Sequence, residues 1–222
     1  MSIPTPVNIS CPQCGKTQEF TVWRSVNVTV DPEVKEVLLK GKLTTFRCKS
    51  CGHEAIVPYD TIYHDMDRQF MIFLFHQEVP TDLEKLLPLA MPKTGRKLFR
   101  LVRSWNELLE KVFIFDAELD DRLVEALKLA MRRTILKEEE LGELLFQGVA
   151  DNQAEKSLSF AALSNRGNQH VSVAWACYEA AIQACEGVLP GRADEAGKLL
   201  RVDAKNIESL DELGLDSSAV EG

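Results

Sequence analysis

No apolar run in this chain exceeds six residues, the length reached by Phe70-Met71-Ile72-Phe73-Leu74-Phe75. A membrane-spanning helix needs about 20 such residues, so this run reads as a buried strand. Residues 1–6 lack the charged region and apolar stretch of a secretory leader. A cytoplasmic location, with no membrane partner, is the default expectation. There is no Gly-x-Gly-x-x-Gly and no phosphate-binding loop, which sets aside the nucleotide enzymes built on them. His64, His76 and His170 have no Cys, Ser or Asp placed to suggest a triad. No internal repeat is visible. Positive charge is scarce, most of all late in the chain. Residues 138–222 hold six Lys and Arg against sixteen acids, in a sequence of formal net charge −8. A nonspecific nucleic-acid binder carries the opposite balance.

What the chain does hold is a doubled motif, Cys11-Pro12-Gln13-Cys14-Gly15 and Cys48-Lys49-Ser50-Cys51-Gly52. Two Cys-x-x-Cys pairs supply four thiolates, the tetrahedral shell of a structural zinc. The glycine after each pair suits the positive φ of a tight loop around a metal. A thioredoxin-type site needs one pair rather than two, and a disulfide framework belongs to small secreted chains. Four-cysteine iron–sulfur ligation is the remaining alternative, and the glycine-ended pairs favour a zinc ribbon. A closed shell of four cysteines leaves no position for substrate, so the expected Zn2+ is structural, with Cys11, Cys14, Cys48 and Cys51 as ligands. His53 follows the second pair and is not needed by a shell already complete. Cys177 and Cys185 read as small buried hydrophobes.

At 222 residues the chain suffices for one large domain or two small ones. Period-two alternation of Phe20, Val22, Val26, Val28 and Val30 predicts a strand. Asp31-Pro32 opens a helix that Gly41 ends. Strands are predicted over 43–48, 54–63, 69–75 and 98–103, the second and third as a hairpin. Thr81-Asp82-Leu83-Glu84 predicts a short capped helix, and Ser104-Trp105-Asn106-Glu107 a longer one burying Leu108, Leu109, Val112 and Phe113. Asp120 caps another helix, burying Leu123, Val124, Leu127 and Met131. A second hairpin is expected over 144–149 and 157–163, then a helix over 173–189, a strand over 199–202 and a short helix over 206–213. The predicted fold is α+β: a zinc ribbon built into an antiparallel sheet, then packed helices, a second hairpin and a C-terminal helix. The domain is expected over 1–188, followed by an acidic extension over 189–222.

These motifs resemble the CpXC family. The resemblance rests on the two cysteine pairs, with Phe99-Arg100-Leu101-Val102, Asn106-Glu107-Leu108-Leu109-Glu110-Lys111, Ile114-Phe115 and Leu119-Asp120-Asp121-Arg122, then Glu125 and Lys128. It covers residues 7 to about 188. It implies zinc ligands at Cys11, Cys14, Cys48 and Cys51 and no catalytic residue, for a family with no established activity.

Three function classes follow. The first is a zinc-stapled protein-interaction module with a protein partner or self-association, which requires no catalytic parts. The second is a nucleic-acid-binding or transcription-associated ribbon. Lys16, Arg24, Lys40, Lys42, Arg47 and Lys49 surround the ribbon beside Trp23 and Phe46, and Lys93, Arg96, Lys97, Arg100 and Arg103 make a second cluster. The third is a hydrolase using carboxylates within 107–121: Glu107, Glu110, Asp116, Asp120 and Asp121. Helix capping and first-turn placement explain most of these acids, and Lys111 or Arg103 is the expected partner of Glu110. The chain is therefore expected not to be an enzyme.

Overall fold

The computed structural model describes residues 1–83, 85, 87, 97–134, 142–152, 155–164, 167–186, 189 and 198–203. In chain order the elements are β1 (Ile3–Ser10), β2 (Thr17–Asn27), α1 (Pro32–Leu39), β3 (Thr45–Arg47), β4 (Glu54–Ile56), β5 (Thr61–Asp65), β6 (Phe70–Leu74) and β7 (Leu98–Val102). They continue with α2 (Trp105–Asp116), α3 (Asp121–Thr134), β8 (Glu143–Asn152), β9 (Glu155–Ser164), β10 (Gly167–Ala174), α4 (Trp175–Ala184) and β11 (Leu199–Leu200). The fold class is α+β, as the sequence predicts. The chain divides into two compact units, Met1–Trp105 with Ala196–Leu199 and Asn106–Glu195 with Leu200–Gly222.

The first unit is built on a six-stranded sheet in the order β1-β2-β5-β6-β7-β11. β1–β2 and β5–β6 pair antiparallel, while β2–β5 and β6–β7 pair parallel. β6 is the apolar run and is buried along its length. Met71, Phe73, Phe75 and Phe99 form one core with Leu83 and Leu87, and Leu199 packs on it. β3 and β4 make a separate antiparallel pair.

Three features of this unit differ from the sequence expectations. β1 is an additional strand. Its partly buried Thr5, Val7 and Ile9 alternate with exposed positions that include Pro4 and Pro6, prolines that an edge strand tolerates. The strand expected over 54–63 is two strands in different sheets, β4 and β5. Pro58 lies between them and has no N–H for a ladder. Asp31 stands at the N-cap of α1 but makes no side-chain cap bond. Its Oδ2 instead accepts from the Ser2 N–H at 2.8 Å, which ties down the chain start.

The second unit packs α3 against α4 beside a three-stranded sheet ordered β10-β9-β8. Phe146 and Phe160 meet edge to face across β8 and β9. The expected hairpin is present with longer strands. Its third strand, β10, is masked in the sequence because Val171-Ser172-Val173 runs straight into the apolar start of α4. The helix expected over 173–189 accordingly begins at Trp175, with Ile182 exposed. Cys185 is buried as predicted, and Cys177 only half-buried. On α2, Leu109 and Phe113 are half-buried, while Ile114 and Phe115 are buried in their place. The helix expected over 206–213, and Lys93 and Arg96, lie outside the described residues.

Candidate metal centre

Each cysteine pair forms the same turn. In the first knuckle Gly15 N donates to Cys11 O and Cys11 N to Lys16 O, both at 2.9 Å. In the second, Gly52 N donates to Cys48 O at 2.9 Å and Cys48 N to His53 O at 2.8 Å. Gly15 and Gly52 sit at φ +71° and +75°, the left-handed region where a Cβ would be strained. The first knuckle closes the β1–β2 hairpin and the second closes β3–β4.

These turns bring the Sγ atoms of Cys11, Cys14, Cys48 and Cys51 within 4.8 Å of one another. Cys11 and Cys51 are 3.7 Å apart, and Cys14 and Cys48 are 3.6 Å apart. The edge of a zinc–sulfur tetrahedron with Zn–S bonds of about 2.3 Å is about 3.8 Å. Two of the six edges are thus close to that length, and all four thiols lie near enough to hold a tetrahedral ion. Cys11 and Cys48 are buried in a small core with Phe46, against Ile9, Phe20, Ala55 and Val57, while Cys14 and Cys51 are exposed. Hydrogen bonds from the Cys51 and Ser50 N–H groups pull the Cys48 thiol down to about 6. At Cys51 the His53 N–H pulls down, but desolvation and the three neighbouring sulfurs push the thiol up to about 12. Four crowded sulfurs thus favour one thiolate and resist further ones until a cation offsets their charge. His53 serves through its main chain, and its ring is not one of the grouped ligands.

The acids of 107–121 do not form one site. Asp120 holds Arg122 through both carboxylate oxygens. Glu107 lies 3.8 Å from Arg201. Glu110 and Asp121 join a buried ionic network that sequence reasoning does not reveal. Lys128 Nζ donates to both oxygens of Glu110 at 2.8 and 2.9 Å and lies 3.0 Å from Glu125. Lys111 Nζ reaches Glu125 at 3.2 Å and Asp121 at 3.4 Å. Glu110 also accepts from the Phe146 N–H at 2.7 Å. All five side chains are at most 8% exposed. Burial raises the Glu110 pKa, with Lys128 opposing. The network ties α2, α3 and β8 together. Asp121, Glu125 and Lys128 share one face by helical spacing, and α3 is buried all along Asp121 to Leu129. In the sequence these charges read as the polar face of an amphipathic helix, so nothing there marks them as buried.

The basic clusters fare differently. Arg100 is fully buried, Lys97 is 6% exposed and Phe46 is 1% exposed, so none of these presents a phosphate-binding surface. Arg103 donates to the carbonyls of Phe75 and Gln77. Near the ribbon, Lys40 pairs with Glu36 and Arg47 with Glu54.

The histidines find partners distant in sequence: His76 with Asp60 at 3.1 Å, His170 with Ser159 at 2.6 Å, and His64 with Lys97 at 3.0 Å. His64 is pushed down to about 4, first by desolvation and then by the Lys97 charge, with Asp65 opposing. Burial also lowers Lys97. The unfolded chain takes up a proton at His64 near pH 6.5, and the folded chain only near pH 4. Stability from this site is full above about pH 6.5 and falls as pH drops toward 4. Urea denaturation at pH 7.5 and pH 5 is expected to show a greater acid loss in the parent protein than in His64→Gln. Equal losses would remove His64 as the cause.

A family model described as CpXC protein matches residues 9–128, a little over half of the 222 residues. No curated protein and no solved structure matches the chain. No helix among the described residues is long and apolar enough to cross a membrane.

Proposed function

The chain belongs to the CpXC family, and from that premise we propose that it is a zinc-binding module that works through protein contacts rather than catalysis. The observation that carries the reading is the convergence of four Sγ atoms from two hairpins within 4.8 Å. Four sulfur donors in tetrahedral spacing suit Zn2+, and a shell they complete has no open position for water or substrate. The ion would be held by Cys11, Cys14, Cys48 and Cys51, where it neutralises part of the thiolate charge and staples β1–β2 to β3–β4. The function then lies in the surface that this staple makes rigid, presented to a protein partner or a second copy in the cytoplasm. The nucleic-acid reading loses support from the burial of Lys97, Arg100 and Phe46.

Elemental analysis of protein purified without added metal is expected to give about one zinc per chain. Light scattering on the same sample reports whether it associates. Iron in place of zinc, or a folded protein with no metal, would overturn the metal assignment.

A further inference from the structure

Gln18 leaves the start of β2 four residues after Cys14, and its side chain ends on the peptide groups on either side of Cys48. Nε2 donates to the Arg47 carbonyl at 3.0 Å, and Oε1 accepts from the Lys49 N–H at 2.8 Å. A main-chain N–H only donates and a carbonyl only accepts, so the two partners fix which way the carboxamide points. The side chain copies the edge of a neighbouring strand. It does so where no strand pairing exists, since β2 and β3 belong to different sheets. One hydrogen-bonded group thus spans the two hairpins that carry the two knuckles, and it grips the second at the buried ligand Cys48.

We propose that Gln18 is a positioning residue of the metal centre: its carboxamide holds Cys48 at tetrahedral distance from Cys14. The inference rests on the reading that the four cysteines hold a metal. Two features support it beyond the hydrogen bonds. Cys48 Sγ lies 3.6 Å from Cys14 Sγ, already near the edge length of the metal-bound shell. Phe20, two residues along β2, packs edge to face on Phe46 with centroids 6.2 Å apart, so polar and apolar contacts from one strand support the same turn. Groups that orient ligands without touching the metal typically change its affinity about 10- to 100-fold when removed.

The test compares Gln18→Ala and Gln18→Glu with the parent protein and with Glu19→Ala, a change at the exposed neighbouring position. Glutamate keeps the size but loses the donor to Arg47 and brings a negative charge toward the thiolates. Zinc affinity is measured by chelator competition, and the thiolate-to-cobalt bands of Co2+-loaded protein report ligand geometry. Both Gln18 variants are expected to bind one equivalent about 10- to 100-fold more weakly, with altered cobalt bands, and Glu19→Ala to match the parent. Affinities within twofold of the parent would overturn the proposal, even with a lowered melting temperature, because that result marks a purely structural bond. An equal loss in Glu19→Ala would also overturn it. A parent protein that binds neither ion overturns the metal reading itself, whereas a parent that binds while the Gln18 variants are unchanged overturns only the role of Gln18.

Discussion

Replacing Cys48 by serine is expected to empty the metal site and unfold the ribbon. A serine hydroxyl is a poor zinc ligand, and three thiolates do not close the shell. Structural zinc in small domains contributes apparent binding free energies of about 10–16 kcal/mol. Losing most of that is comparable to the total stability of a typical domain, about 5–15 kcal/mol. Cys48 adds a second cost because it is 2% exposed within the Cys11–Phe46 core, so the variant also places a hydroxyl among apolar side chains. Zinc content is expected to fall from about one equivalent to near zero, with loss of the cooperative melt of the first unit and of solubility. Cys14→Ser strips the metal too, but its thiol is exposed and the core survives better. Cys177→Ala, on α4, should leave metal and fold intact. A Cys48→Ser protein that still carries a full equivalent of zinc would sink the four-cysteine assignment.

The contrast between what can and cannot be read from the sequence follows from distance along the chain. The four-cysteine cluster is legible because each knuckle is local: the Cys-x-x-Cys spacing places two sulfurs on one turn, and a tetrahedral ion would call for a second such pair. Periodicity marks β2 and α3, and an unbroken apolar run marks β6, for the same reason. The features that stay hidden depend on groups far apart in sequence. The parallel pairings of β2 with β5 and β6 with β7 leave no local mark. Gln18 looks like any polar residue at a strand start, since its two partners lie 29 and 31 residues away. Sequence neighbours suggest Lys111 or Arg103 as the cation for Glu110, yet that cation is Lys128, 18 residues on. The tail is legible only in part. The strand expected over 199–202 is present as β11 at Leu199–Leu200, and Leu199 docks on the Met71–Phe99 core.

The buried network gives the second large effect. Lys128→Met keeps much of the side-chain volume but removes the ammonium that bridges Glu110 and Glu125. Glu110 would then keep the Phe146 N–H as its hydrogen-bond donor, with the Lys111 charge, shared with Glu125 and Asp121, as its remaining cation. Breaking one partner of a buried ion pair costs about 3–5 kcal/mol, because the other charge is left without compensation. A loss of that size is expected in urea denaturation at pH 8. The pair itself contributes much less than this, since desolvation offsets most of its attraction. Adding Glu110→Gln to Lys128→Met is therefore expected to restore a large part of the stability, although each single change destabilises. pH supplies an independent sign. Burial already raises Glu110 above its ordinary value, and loss of Lys128 raises it further. An acid with a raised folded pKa gains stability as pH falls through that value. The gap between Lys128→Met and the parent should consequently narrow from pH 8 to pH 5. Taking that gap at each pH cancels the acid loss at His64, which both proteins share. A Lys128→Met protein within about 1 kcal/mol of the parent at pH 8 would show that these ions do not hold the second unit together. A double variant no better than the single would show that the cost arises from packing rather than from the stranded charge.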